Sequence, residues 1–144
     1  MLFTMKKNIY SGIFFDLDGT LIESHLNFTK MKEALGFPLD CNILEHLESL
    51  TSEKDITSAN KIIDDHEKEG ALKSYLYPGV RELVEHLNAF KIPTGIITRN
   101  SFATASLMLK THNLHFKHLL SRDNSPAKPS PAPLLNLCNI YNIE

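Results

Sequence analysis

The sequence predicts an α/β fold: a Rossmann-like parallel sheet in a three-layer sandwich with helices, carrying a small helical insert after its first strand. Two observations predict it. Apolar runs end abruptly in polar or Gly-containing turns at Phe15, Thr98 and Ser121, as strand ends do, and from Pro78 onward such runs alternate with helix-period stripes. Between the first strand and that alternation, residues 23–75 show helical periodicity alone. Strands alternating with helices pair in parallel through crossovers, and ligands of such sheets bind at the carboxyl ends of the strands. Asp16, Thr98 and the loop after Ser121 all fall at those ends.

The elements follow in order. Ile13 to Phe15 is a strand, and Gly19 ends it. Phe28, Met31 and Leu35 share one helix face, stopped by Gly36 and Pro38, and Ile43, Leu44, Leu47 and Leu50 make a second short face. Ser52 with Asp55 opens a third helix, in a capping-box-like pattern, with Ile56, Ala59, Ile63 and His66 on one side and Gly70 as its expected end. The insert, residues 23–75, is expected to hold no strand of its own. Pro78 and Gly79 open a helix striped by Val80, Leu83, Val84, Leu87 and Phe90. Pro93 to Thr98 is a continuous apolar run, the pattern of a strand buried on both faces. Phe102, Ala105 and Leu109 mark the next helix, His118 to Ser121 a short strand, and Ser130-Pro131 the start of a last helix with Leu134, Leu137, Cys138 and Tyr141. The Pro-rich stretch from Ser125 to Pro133 lies between a strand and a helix start, which fits a stiff loop better than a linker.

Composition narrows the function classes. The chain has 144 residues and is 42% hydrophobic, enough for one sizeable core. A net charge of −2 gives no basic field for nucleic acid and no polybasic patch for a membrane surface. No apolar run reaches membrane-spanning length. Lys6 and Lys7 before an apolar run mimic a secretory leader, but Asp16 and Asp18 cut that run short and no small-residue cleavage site follows. Met5 is a plausible true start. Cys41 and Cys138 form no motif, which fits a reducing cytoplasm.

The chemistry concentrates at Phe14-Phe15-Asp16-Leu17-Asp18-Gly19-Thr20-Leu21-Ile22. Two carboxylates where a strand breaks into a turn can be gathered around one small pocket. Desolvating both without a cation is costly, so a hard metal such as Mg²⁺ is implied. A surface turn also uses Asp and Gly, but the preceding strand and the following Thr-Leu-Ile favour a site.

These nine residues resemble the first motif of the haloacid dehalogenase superfamily, most of whose members are Mg²⁺-dependent phosphatases. The resemblance implies that Asp16 is a nucleophile forming an aspartyl-phosphate, and that Asp18 is the general acid/base with its backbone carbonyl on the metal. An acid at the second position separates phosphatases from the haloalkanoate dehalogenases and ion-pumping ATPases of the superfamily. A leaving alkoxide needs a proton, which a second carboxyl can donate. Ile96-Ile97-Thr98 resembles the second motif, implying that Thr98 holds a phosphoryl oxygen. Asn100 matches an Asn often found just after that hydroxyl, displaced here by Arg99, which reads as solvated surface in preference to a substrate contact. Lys128-Pro129 resembles the third motif, whose Lys balances nucleophile and phosphate. The Lys-Pro-x-Pro pattern and Tyr77-Pro78-Gly79-Val80 look like the phosphoglycolate phosphatase and β-phosphoglucomutase branch. On that likeness residues 8–22 and 76–144 form the core and residues 23–75 a helical cap.

A fourth motif, which would supply a third acidic metal ligand after a further core strand, is absent from the 144 residues, so the resemblance implies a fold incomplete at the C-terminus. Asp123 precedes Lys128 and stands in the wrong order to replace it. A fragment, a natural truncation and completion by a partner chain remain open. The expected function is a cytoplasmic Mg²⁺-dependent phosphatase of a small phosphorylated metabolite, binding neither nucleic acid nor membrane. A phosphomutase is the variant within that class, and a catalytically impaired remnant or interaction module is the reading outside it.

Overall fold

A computed structural model describes residues 10–143. A start at Met5, the leader-like Lys6-Lys7 pair and the first residues of the core range lie outside the described residues, as does Glu144. Three short strands, β1 (Ile13–Phe15), β4 (Thr94–Ile97) and β5 (Leu119–Leu120), form a parallel sheet in the order β1-β4-β5. Ile13, Phe14 and Phe15 stand opposite Thr94, Gly95 and Ile96, and Ile96 and Ile97 stand opposite Leu119 and Leu120. The ladder extends past the strand ends, because Ile96 N–H donates to His118 O and Thr98 N–H to Leu120 O, each at 2.9 Å. β4 is flanked on both sides, which explains why residues 94–96 are buried while β1 and β5 are half-buried.

Side-chain alternation along the strands assigns the helix layers. Gly95 and its register partner Phe14 face α6 (Ala132–Tyr141): Phe14 stacks on Tyr141 with ring centroids 6.1 Å apart, and a Cβ on Gly95 would come within 3.0 Å of Leu137. Gly95 is therefore required for the close approach of this helix. On the opposite face Ile96 joins a core of Leu17, Leu21, Val80, Val84, Ala105 and Met108, supplied by the loop after β1, by α4 (Val80–Ala89) and by α5 (Phe102–Thr111). Helices on both faces of a parallel sheet make the expected α/β sandwich.

Between the first two core strands lie α1 (Phe28–Leu35), α2 (Ile43–Glu48) and α3 (Glu53–Leu72). Their starts are capped by Asn27, Asn42 and Ser52, each accepting a backbone N–H of the first turn, and Gly36 ends α1 with a left-handed φ of 68°. Two expectations need correction here. The segment is not purely helical at its ends: β2 (Ile22–Glu23) pairs antiparallel with β3 (Tyr75–Leu76), closing its base as a ribbon. Two residues per strand are too few for alternation to register in a sequence. Nor does α3 stop at Gly70, which is buried inside the helix with a virtual Cβ only 3.1 Å from Ser24 O. That glycine serves a close backbone approach rather than a helix end. No helix among the described residues is long and apolar enough to cross a membrane.

Candidate active site

Asp16 follows the last residue of β1, and the chain then turns sharply. Thr20, Leu21 and Ile22 all donate backbone N–H groups to Leu17 O, Gly19 donates to Ile22 O at 2.8 Å, and Gly19 adopts φ 78°. The turn requires that left-handed residue, and Gly supplies it without strain. Leu17 is fully buried and anchors the loop, so Asp16 and Asp18 on either side of it remain accessible. Asp18 is held by Ser24 at the end of β2: Ser24 N–H donates to Oδ1 at 2.9 Å and the hydroxyl to Oδ2 at 2.6 Å. Asp16 meets another partner, Lys128, whose Nζ lies 2.5 Å from Oδ1.

Thr98 stands one residue beyond β4. Its Oγ1 accepts Asn100 N–H at 3.2 Å, which leaves the hydroxyl proton available for donation. Asn100 also reaches the site, although its amide nitrogen lies 3.5 Å from Met108 Sδ on α5. Asp16, Asp18, Thr98, Asn100 and Lys128, gathered from three chain segments, line one cleft of about 300 Å³. Its remaining wall includes Gly19, Glu23, Ser24, Leu26, Phe28 and Arg99. A second cleft of about 400 Å³ shares Leu26, Phe28, Arg99 and Asn100 with the first and continues between α1, α2 and the core loops.

Several contacts at and around this site went unnoticed in the sequence. Glu23 accepts the Tyr77 hydroxyl on Oε2 at 2.5 Å, across the ribbon. That bond pushes the phenol up to about 12 and holds the Glu23 carboxyl below the usual carboxylate range. Glu67 of α3 pairs with Arg122 at 2.5 and 3.2 Å and accepts the Ser101 and Thr104 hydroxyls at 3.2 and 3.1 Å. Arg99 is exposed, as expected, and from the surface it donates Nε and Nη2 to Lys128 O at 3.3 and 3.0 Å. Asp123 caps α5 by accepting Phe102 N–H at 2.5 Å, a structural task. The signals that mark motifs, local spacing and strand ends, point to none of these pairings.

Mg²⁺ fits the donor set weakly. Asp16 offers a hard carboxylate oxygen, and among the described residues the four backbone bonds of the loop leave the Asp18 carbonyl without a donor. Among the described residues no group of three or more acidic, His or Cys side chains could hold an ion. Waters and a substrate phosphate would complete such a shell, as Mg²⁺ readily permits.

The model of the haloacid dehalogenase-like hydrolase family matches residues 27–144. The chain belongs to that family. It is 35% identical to a haloacid dehalogenase-like hydrolase domain-containing protein of Arabidopsis thaliana over 99% of this chain and 62% of the relative. Against an uncharacterized hydrolase of Saccharomyces cerevisiae it is 28% identical over 92% of this chain and 63% of the relative. The chain thus spans about three-fifths of the length of these two hydrolases. A phosphoglycolate phosphatase of Chromobacterium violaceum is 30% identical over 92% of this chain and 72% of its own. The crystal structure of a hydrolase from Pseudomonas syringae shares the fold, with a TM-score of 0.69 at 23% identity over 94% of this chain and 71% of that one.

Proposed function

We propose that this haloacid dehalogenase-like chain carries the phosphoryl-transfer site of a Mg²⁺-dependent phosphatase acting on a small phosphorylated metabolite. The observation that carries the proposal is the Asp16–Lys128 contact at 2.5 Å inside a cleft that also contains Asp18 and Thr98. The C. violaceum phosphoglycolate phosphatase supports the substrate class by likeness.

Each side chain has a role in this reading. Lys128 occupies Oδ1 of Asp16, so attack on phosphorus falls to Oδ2, forming the aspartyl-phosphate. Asp18, steadied by Ser24, gives its proton to the leaving alkoxide and later takes one from the attacking water. Thr98 donates its hydroxyl to a phosphoryl oxygen, Lys128 adds positive charge, and Asn100 is the weakest of the three holds because its amide engages Met108. A bound Mg²⁺, with Asp16 and the Asp18 carbonyl as its protein ligands, would neutralise charge on the phosphoryl oxygens. The apolar side chains Leu26 and Phe28, which line both clefts, support a cap role for residues 23–75, excluding water and selecting the substrate.

Release of inorganic phosphate from a panel of phosphate monoesters, with Mg²⁺ or with excess chelator, tests the proposal. The expected result is Mg²⁺-dependent turnover and a phosphoenzyme trapped on Asp16. Hydrolysis unaffected by chelator, or a phosphoenzyme on any other residue, overturns it.

A further inference from the structure

We infer that Arg99 is a positioning residue: by gripping the main-chain carbonyl of Lys128 it holds the Lys128 ammonium against Asp16. Lys128 lies in the Pro-rich stretch between β5 and α6, inside a single turn closed by Ser130 N–H donating to Ala127 O at 3.1 Å, with no helix or strand to fix where that turn sits. Its contact with Asp16 is partly wet, the two side chains being 33% and 40% exposed. An ion pair so open to water holds a loop only weakly. The Arg99 fork is exposed as well, but it places two donors, Nε and Nη2, on a single main-chain oxygen, Lys128 O, at 3.3 and 3.0 Å. A planar guanidinium loses little freedom per bond formed, which suits it to such a clamp.

The clamp itself is anchored. Arg99 O accepts Arg122 Nη1 at 3.2 Å, and Arg122 is held by the buried Glu67 of α3. Main-chain and side-chain bonds therefore run without a break from α3 through Arg122, Arg99 and Lys128 to Asp16. With two of its donors spent on Lys128 O, Arg99 is occupied as a support more than it is available as a substrate ligand. The inference rests on the phosphatase reading for its catalytic consequence, but not for its geometry.

Competitive acetylation of the lysines, read residue by residue by mass spectrometry on the 144-residue chain, tests it. In Arg99→Ala the labelling of Lys128 should rise about three- to fivefold, the scale of a partly exposed ion pair, while Lys54 and Lys110 stay as in the parent. The same variant should lose roughly 10- to 100-fold in kcat with little change in KM, because a displaced Lys128 costs most in the transition state. Lys128 labelling equal to the parent's overturns the inference. Should the urea midpoint of Arg99→Ala show that the variant is unfolded under the labelling conditions, Arg99→Gln carries the test under the same criterion. Asp16→Asn, run alongside, separates the two claims. Turnover surviving in Asp16→Asn defeats the phosphatase reading, whereas the Lys128 labelling of the Arg99 variants stands or falls on its own.

Discussion

Asp16 and Asp18 sit two residues apart, yet the fold assigns them different partners and so different chemistry. Asp16 meets the Lys128 ammonium on Oδ1 and leaves Oδ2 open, while both oxygens of Asp18 are held by one serine. Asp16→Asn should therefore abolish turnover and phosphoenzyme with little loss of folding; wild-type turnover in that variant would refute the assignment. Asp18→Asn should slow esters of poor leaving groups by about 10²–10⁴-fold, the usual reach of general acid catalysis, and p-nitrophenyl phosphate far less. Equal losses on both esters would argue against Asp18 as the proton donor. Away from the site, burial depresses the His112 pKa, with Arg81 adding to the effect and the Ser74 bond opposing it. A histidine depressed in the folded state binds fewer protons there than in the unfolded chain. The stability it contributes is thus intact above the ordinary histidine pKa and lost as pH falls through the folded value. Urea denaturation across pH 7.5 to 5 should show that acid loss, reduced in His112→Gln.

At the scale of elements, α3 supports the site from outside the cleft, through Gly70 against Ser24 and Glu67 on Arg122. Its start is set locally by the Ser52 cap, and Ser52→Ala should cost about 1 kcal/mol in urea denaturation. Its last turns are set by contact with the loop after β2. Gly70 lies against Ser24 O and Leu26, and Ser24 is the residue that steadies Asp18. A helix-interior Gly normally costs about 1 kcal/mol relative to Ala, which this contact makes necessary. Gly70→Val should destabilise by about 1–3 kcal/mol through overpacking and also lower kcat by displacing Ser24. A variant that unfolds more easily but keeps its kcat would show that Ser24 does not depend on α3. The ribbon of β2 and β3, tied by Glu23 and Tyr77, fixes where this segment leaves and rejoins the core.

Over the whole molecule, a buried ion pair joins the segment between β2 and β3 to the core. Glu67 and Arg122 have side chains only 7% and 17% exposed, so removing one leaves the other charged and poorly solvated. Glu67→Leu or Arg122→Met alone should cost about 3–5 kcal/mol, while the double replacement should recover much of the loss. A double-mutant cycle in urea measures this, and additive single losses would mean that the pair carries no coupling. Because Arg122 also supports Arg99, the single variants should loosen Lys128 as well.

The parts of this protein legible in its sequence are those whose physics is local. The strand-to-turn break at Asp16-Leu17-Asp18-Gly19, the Ser52 cap and the Gly36 stop all act within a few residues of where they are written, whereas Lys128 was legible only as a motif and meets Asp16 across 112 positions. Parallel pairing also followed, since alternating strands and helices leave little other choice. The tertiary structure alone decided what spans the chain: Tyr77 on Glu23 across 54 positions, Arg122 on Glu67 across 55, and Arg99 on Lys128 across 29. It also turned Gly70 from an expected helix end into a point of close packing. Periodicity records which face of an element is apolar, but not which polar group another segment will bring to it. That depends on where the backbones cross, and the crossings exist only in the folded chain.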